Sequence, residues 1–275
     1  MRSTHILALA VFTGAVVARS VPENVRAFYN KVKNGKCVGG TVLKDKFYSK
    51  YPGSKSQSAP LVSSFEMPND RLTRSLSPAF AYCQDDDSGV LYLHGEGSKF
   101  ADMDVDCDGD QSDHGDGRCG NSVDTQSTTA FEYEVKQYSN HKVSDLNANF
   151  IPYVVFGNFG NEPGYNSFNP KKHGLKPLSV MAVVCGEKLL YGVWGDTNGD
   201  DGPPIVGEAS IALATECFGT GITGNNGHDK NDVLYIGFPG SVTDTVNKKA
   251  DWGAKTHKAF EVSIAALGDR LIRKL

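Results

Sequence analysis

Between Leu189 and Gly219 the chain reads LLYGVWGDTNGDDGPPIVGEASIALATECFG, and the rest of the sequence is organised around this stretch. An apolar run ends at Trp194, a bend of Asp, Asn, Gly and Pro follows, and Glu208 opens a segment of small residues. Ser210 can cap a helix and Gly219 can end one, so a helix of about two turns is expected over Ser210 to Cys217. Asp196 then stands where a strand runs out, and Glu208 stands just ahead of a helix start. Two carboxylates held at the mouths of rigid elements suit the hydrolysis of a glycosidic bond. One acid protonates the leaving oxygen and one base activates water on the opposite face of the sugar. Acidic surface loops are common, so spacing alone leaves that chemistry as one reading among several.

Just upstream, SVMAVVC (Ser179 to Cys185) and KLLYGVWG (Lys188 to Gly195) flank Gly186-Glu187. A two-residue connection with Gly first suits a tight type II′ hairpin, which delivers Asp196 to the sheet edge. Further strands are expected at Val90 to His94, Glu132 to Val135, Ile151 to Phe156 and Val233 to Phe238, and where Phe260, Val262 and Ile264 alternate. Helical spacing recurs at Val25, Phe28, Tyr29 and Val32, ending near Gly35, and again at Leu267, Leu271, Ile272 and Leu275. Residues 52–78, rich in Ser, Pro and Lys, read as a surface loop. Many short strands with few helices and no break in composition predict a β-rich (α+β) single domain over residues 21–275. Its strands are expected to form a central β-barrel with a few short helices. The double-psi type suits a strand, a GD turn and a small-residue helix in succession.

The first twenty residues, MRSTHILALAVFTGAVVARS, carry Arg2, an apolar run from Ile6 to Val17 and small residues near the end. That is a secretory signal pattern, too short to span a bilayer, with cleavage expected within a few residues of Ser20. No later segment is apolar enough to cross a membrane, so a secreted, extracellular product is expected. Its removal takes Arg2 and Arg19 and no acid, moving the formal net charge from −4 to −6. This argues against a nucleic-acid partner and permits a cationic one. All six cysteines survive that cleavage, and an even count in a secreted chain points to disulfides. Cys107 and Cys119 bracket one loop and form the favoured local pair. No paired C-x-x-C is present and the histidines are scattered, so zinc is not called for, and no cofactor is expected.

The oddest composition follows Val90 to His94, in ADMDVDCDGDQSDHGDGRCG. Asp104-x-Asp106-x-Asp108-Gly109 copies the start of a calcium loop, but Gly115 stands at the twelfth position, where a bidentate Glu is needed. The aspartates therefore read as a solvated, disulfide-closed loop or as the lining of a groove for a cationic ligand.

Taken together, IPYVVFGN, SVMAVVCG, YGVWGDTNGDDGP, VGEASIALATEC and GHDKNDVLYIGF, in this order with MDVDCDG ahead of them, resemble the fungal endo-chitosanases of glycoside hydrolase family 75. The similarity covers essentially the whole chain from Val21 onward, and the GDTNG and GEAS pair is its most specific part. The resemblance implies internal cleavage of the β-1,4 links of chitosan, with inversion; a monomer is expected. It also implies that the essential acids are Asp196 of GDTNG and Glu208 of GEAS, and that the bend at Asp200 to Val206 influences substrate preference.

Chemistry agrees on one independent point. Glucosamine lacks the N-acetyl oxygen that lets some hexosaminidases use their own substrate as nucleophile, so the protein must supply both groups. Carboxylates are also wanted along the polymer to meet its ammonium groups. Asp104, Asp106, Asp108, Asp200 and Asp201 are candidates for that pairing. Glu208 is assigned as general acid and Asp196 as general base, with Trp194 packed behind Asp196. Thr197, Asn198 and Asp200 are the substrate-side residues, Thr197 or Asn198 holding the water. One tension is visible: a helix N-terminus lowers the pKa of a nearby Glu, whereas a general acid needs it raised. Two other classes compete. A non-catalytic secreted carbohydrate-binding barrel needs only one of the acids in its groove. A calcium-dependent structural protein would use the Asp-rich loops, although GDTNGDDG places Asp201 where such a loop needs Gly.

Overall fold

The computed structural model describes residues 19–49, 79–95, 97–120, 122, 124–200, 202–242 and 249–275. The expected surface loop at 52–78, Asp201 and residues 1–18 of the expected leader lie outside them. The described chain is β-rich, with ten strands in one sheet and a few short helices.

The hairpin beside the central stretch forms as its sequence requires. β7 (Val180–Cys185) and β8 (Lys188–Asn198) pair antiparallel from Val180↔Val193 to Cys185↔Lys188. The turn places Gly186 at φ +62°, a conformation a side chain resists, and Glu187 stays outside that region, as type II′ demands. β8 does not stop at Gly195, however. It continues to Asn198 and lies inside the sheet, between β7 and β6 (Tyr153–Asn158), so Asp196 belongs to an interior strand rather than a sheet edge. β6 is buried along its whole length, as its unbroken apolar run predicts.

Glu208 opens a short strand, β9 (Glu208–Ser210), which turns directly into α3 (Ile211–Phe218). The Ser210 hydroxyl accepts from the Leu213 N–H at 3.3 Å, the capping role its sequence position indicates. The same oxygen donates to the Ile151 carbonyl at 2.9 Å and accepts from the Tyr153 N–H at 3.0 Å, fastening the helix start to the foot of β6. β9 pairs antiparallel with β6 and parallel with β5 (Ala101–Asp106). β5 pairs with β10 (His228–Gly237), β10 with β7, and β7 with β8, so the pairing returns to its start after six strands. β4 (Leu91–His94), β3 (Phe80–Asp85) and β2 (Gly40–Phe47) extend the sheet beyond β10, and β1 (Arg19–Ser20) adds to β8.

α1 (Glu23–Lys33) buries Val25, Phe28 and Val32, the helical face read from the sequence. Three expectations are corrected. Glu132 to Val135 is not a strand but the start of α2 (Glu132–Tyr138), because Phe131, Val135 and Ser139 are buried at four-residue intervals. Phe260, Val262 and Ile264 do not alternate in a strand either. They lie in α4 (His257–Leu271), where Phe260 and Ile264 face the core one turn apart and Val262 is exposed. Finally, the Asp-rich run begins as strand β5 rather than as a loop. Cys107 pairs with Cys119 as expected, and Cys37–Cys83 and Cys185–Cys217 complete three disulfides. Spanning separations of 12 to 46 residues, each contributes roughly 3–4 kcal/mol by limiting the unfolded chain. No described helix is long and apolar enough to cross a membrane.

Candidate active site

Asp196 and Glu208 are brought together by the strand between them. On one side of β6, Val155 is in register with Asp196 of β8; on the other it is in register with Glu208 of β9. The β6–β8 ladder shifts register beside Val155, so the pairing fixes spacing rather than a regular face: each ladder is about 4.8 Å wide, and the two Cα atoms stand about 10 Å apart. The parallel ladder to β5 adds Asp104 next to Glu208. A row Asp196–Val155–Glu208–Asp104 thus crosses four strands, with a short apolar side chain between the two acids.

Asp196 is buried, and its Oδ1 accepts two backbone N–H bonds, from Thr197 at 2.7 Å and Ala130 at 2.9 Å. The second comes from the segment leading into α2, which is anchored by Phe131 edge-on to Trp194 at 4.8 Å between ring centres. The Trp194 indole N–H donates to the Asp196 carbonyl at 2.8 Å. Trp194 therefore both fills the core behind the acid and fixes its backbone. Glu208 keeps part of its side chain exposed, and none of the described residues donates a hydrogen bond to its carboxyl.

Two more carboxyl groups crowd this pair. In ADMDVD the acids alternate with Ala, Met and Val, so β5 turns Asp102, Asp104 and Asp106 to one face. Asp106 is buried, and its Oδ1 accepts from the Asp108 N–H at 2.7 Å; the Asp108 Oδ1 accepts from the Gln126 N–H at 2.6 Å. Oxygens of Asp106, Asp108 and Asp196 lie within 4.8 Å of one another, close enough to share a cation. The Tyr153 hydroxyl donates to the Asp108 carbonyl at 3.0 Å beside them. Sequence reasoning treated Asp106 and Asp108 as acids of a calcium-like or solvated loop and as partners for ammonium groups, not as neighbours of Asp196, and missed Ala130 and Tyr153 altogether. The alternation of Asp with apolar residues was the signal that β5 carries its acids inward. Because Asp104 and Asp106 are extended in β5, the calcium-loop resemblance of this run does not extend to its conformation.

Such crowding has a direct electrostatic consequence. Burial pushes the Asp196 carboxyl well above the ordinary range, and the charge of Asp106 adds to it, while the Ala130 and Thr197 N–H groups pull the other way. Glu208 is also raised well above its usual value, by burial first and then by Asp106, Asp104, Asp108 and Asp196. Asp106 and Asp108 are raised mainly by burial. Glu208 is therefore raised by burial and neighbouring carboxylates although it stands just ahead of the α3 N-terminus.

The substrate-side expectations are placed as follows. The Asn198 amide donates to the Ile205 carbonyl at 3.2 Å, holding the return of the bend. The Thr197 hydroxyl is buried and meets no partner among the described residues. Asp200 lies past the end of β8, where its Oδ2 accepts from the Glu162 N–H at 2.9 Å and from the Asn161 N–H.

A family model described as the fungal chitosanase of glycosyl hydrolase group 75 matches residues 103–274. Along its whole length the chain is 40% identical to an endo-chitosanase of Aspergillus oryzae and 41% identical to endo-chitosanase B of the same species, covering 99% of each. It is likewise 41% identical, over 276 residues, to an endo-chitosanase of Aspergillus fumigatus. A β-rich fold with an acid-lined strand face and relatives of this kind define a glycoside hydrolase. More narrowly, the chain belongs to the fungal chitosanase family of glycosyl hydrolase group 75.

Proposed function

We propose that this protein is a secreted, monomeric endo-chitosanase that cleaves β-1,4 links between glucosamine-containing units with inversion, Glu208 serving as general acid and Asp196 as general base. The observation that carries the reading is the pair of acids on either side of Val155. A Cα spacing of about 10 Å accommodates a carboxyl separation in the roughly 6.5–9.5 Å range of inverting enzymes, the outcome proposed here rather than the roughly 5–5.5 Å of retaining ones. That leaves room for a water molecule below the sugar. Hydrogen bonding divides the roles. Two N–H donors stabilise the anion of Asp196, whereas the Glu208 carboxyl has none among the described residues, so a proton shared by the cluster resides on Glu208. Asp196 then takes a proton from water as Glu208 gives one to the departing sugar oxygen. The cyclic pairing of β8, β6, β9, β5, β10 and β7 supports a six-stranded barrel, of the double-psi kind, as the frame of the site.

Reducing-end release should be fast on chitosan and far slower on chitin and cellulose, and the first product read by proton NMR should be the α-anomer. Equal rates on all three polymers, or a β-anomer as first product, would contradict the reading.

The leader is proposed to end after Ala18, within the few residues first allowed around Ser20. The Arg19 guanidinium pairs with Asp269 of α4 and lies 5.3 Å from the centre of the Tyr191 ring, and Arg19 and Ser20 join β8. N-terminal sequencing of the secreted product should read Arg-Ser-Val-Pro; a start at Val21 would show that β1 is discarded with the leader.

A further inference from the structure

Beyond the end of β8 a cavity of about 490 Å³ opens between the close of β2, the segment after β6 and the bend that follows Asn198. Its walls include Tyr48, Tyr165, Glu162, Asp200 and Lys46. We propose that this cavity is a second binding site for the sugar chain, holding one glucosamine unit a few residues along the polymer from the bond that is cut. The inference rests on the chitosan reading above and adds the residues that grip the chain away from the reacting acids.

Distance comes first. Asp200 is four positions beyond Asp196, so their Cα atoms lie within about 14 Å, a span a short run of sugars bridges. The walls are also fixed in place. Tyr48 is bonded on both sides to the return of the bend, its N–H to the Pro204 carbonyl at 3.0 Å and its carbonyl to the Val206 N–H at 2.7 Å. The Tyr165 hydroxyl donates to the Gly199 carbonyl, and the Asn166 amide donates to the carbonyls of Asp45 at 2.8 Å and Lys46 at 3.0 Å. Gly160 lets the two main walls approach: a Cβ there would lie 2.4 Å from the Tyr165 ring and 2.5 Å from the Asp200 Cβ. The site is thus assembled before any ligand arrives, which limits the ordering cost of binding.

The chemistry of the walls selects the occupant. Tyrosine rings offer apolar surface to the C–H face of a pyranose, with hydroxyls at their edges. Among the described lining residues two carboxylates outnumber one ammonium, a net negative charge that favours a cationic sugar such as glucosamine. The N–H groups of Glu162 and Asn161 hold the Asp200 carboxyl below its ordinary range. Asp200 therefore stays charged in mild acid, where the polymer is fully cationic.

The test compares oligomers of different length. Tyr165→Ala and Glu162→Gln should each lower the ratio of kcat/KM for the glucosamine hexamer to that for the trimer by about tenfold, chiefly through KM. Tyr165→Phe should keep most of that ratio. In the Glu208→Gln background, calorimetry should show hexamer binding weakened about tenfold by Tyr165→Ala. Glu162→Gln alters an exposed side chain and so guards against a folding defect in the tyrosine variant. A hexamer-to-trimer ratio and a hexamer affinity equal to those of the parent in both variants overturn the proposal. Should the unaltered protein leave chitosan uncut, the functional reading fails, and hexamer binding to the unaltered protein, with and without Tyr165, still decides the cavity.

Discussion

Glu208→Gln and Asp196→Asn are each expected to reduce kcat on chitosan by on the order of 10²–10⁴-fold or more. Both substitutions preserve shape. The Asn oxygen at position 196 can still accept from Ala130 and Thr197, so the loss reports on the missing charge and proton rather than on a collapsed site. The two variants should differ in kind. On the proposed roles, Glu208→Gln should lose the alkaline limb of the pH profile and recover much of its rate on a substrate whose leaving group needs no protonation. Asp196→Asn should lose the acid limb and gain nothing from a better leaving group, because water activation is what it lacks. Activity near the parent level in either variant removes that residue from the reaction, and exchanged pH signatures reverse the roles.

Asp106→Asn carries the second large expectation. Asp106 is the leading charge acting on both Glu208 and Asp196 after burial itself. Asn at this position still accepts the Asp108 N–H bond. Removing the charge lowers the pKa of both acids, so both limbs of the bell-shaped profile should move to lower pH together. The consequence at neutral pH is a rate lower by on the order of tenfold, since less Glu208 remains protonated. Stability should move the opposite way. Asp106, Asp108, Asp196 and Glu208 are all raised in the folded state, so the native protein binds more protons than the unfolded chain. Their contribution therefore declines as pH rises from the ordinary carboxylate range through the raised values. Asp106→Asn should recover part of that decline, raising Tm by roughly 2–4 °C at neutral pH and by less in acid. A variant with unmoved limbs and a uniformly reduced kcat would reduce Asp106 to a packing role.

The elements around the acids were legible where local chemistry and tertiary packing agree. Gly186-Glu187 with its two apolar flanks specified a hairpin, and Ser210 with Gly219 bounded a helix, because turn and cap residues act within a few positions of themselves. α2 was misread because EYEV alternates like a strand; its real period, Phe131 to Val135 to Ser139, is set by docking on distant Trp194. α4 was misread for the same reason, with Phe260 and Ile264 serving either period over so short a span. β5 failed differently. Two of its three aspartates, Asp102 and Asp106, are buried against the cost of burying charge, and a chain accepts that cost where shifted pKa values serve a purpose. Asp196 and Glu208 could be picked out from their motifs, and Ile151 to Phe156 as a strand, but not that this strand lies between the two acids, since β6 joins them only through long-range pairing.

That arrangement has an evolutionary corollary. Because the interval between the acids is metered by two rungs of backbone ladder, it does not depend on how much chain connects them. On the proposed roles, the Asp200–Val206 bend could lengthen, shorten or change shape without altering the stereochemical outcome, leaving it free to retune which polymers are gripped.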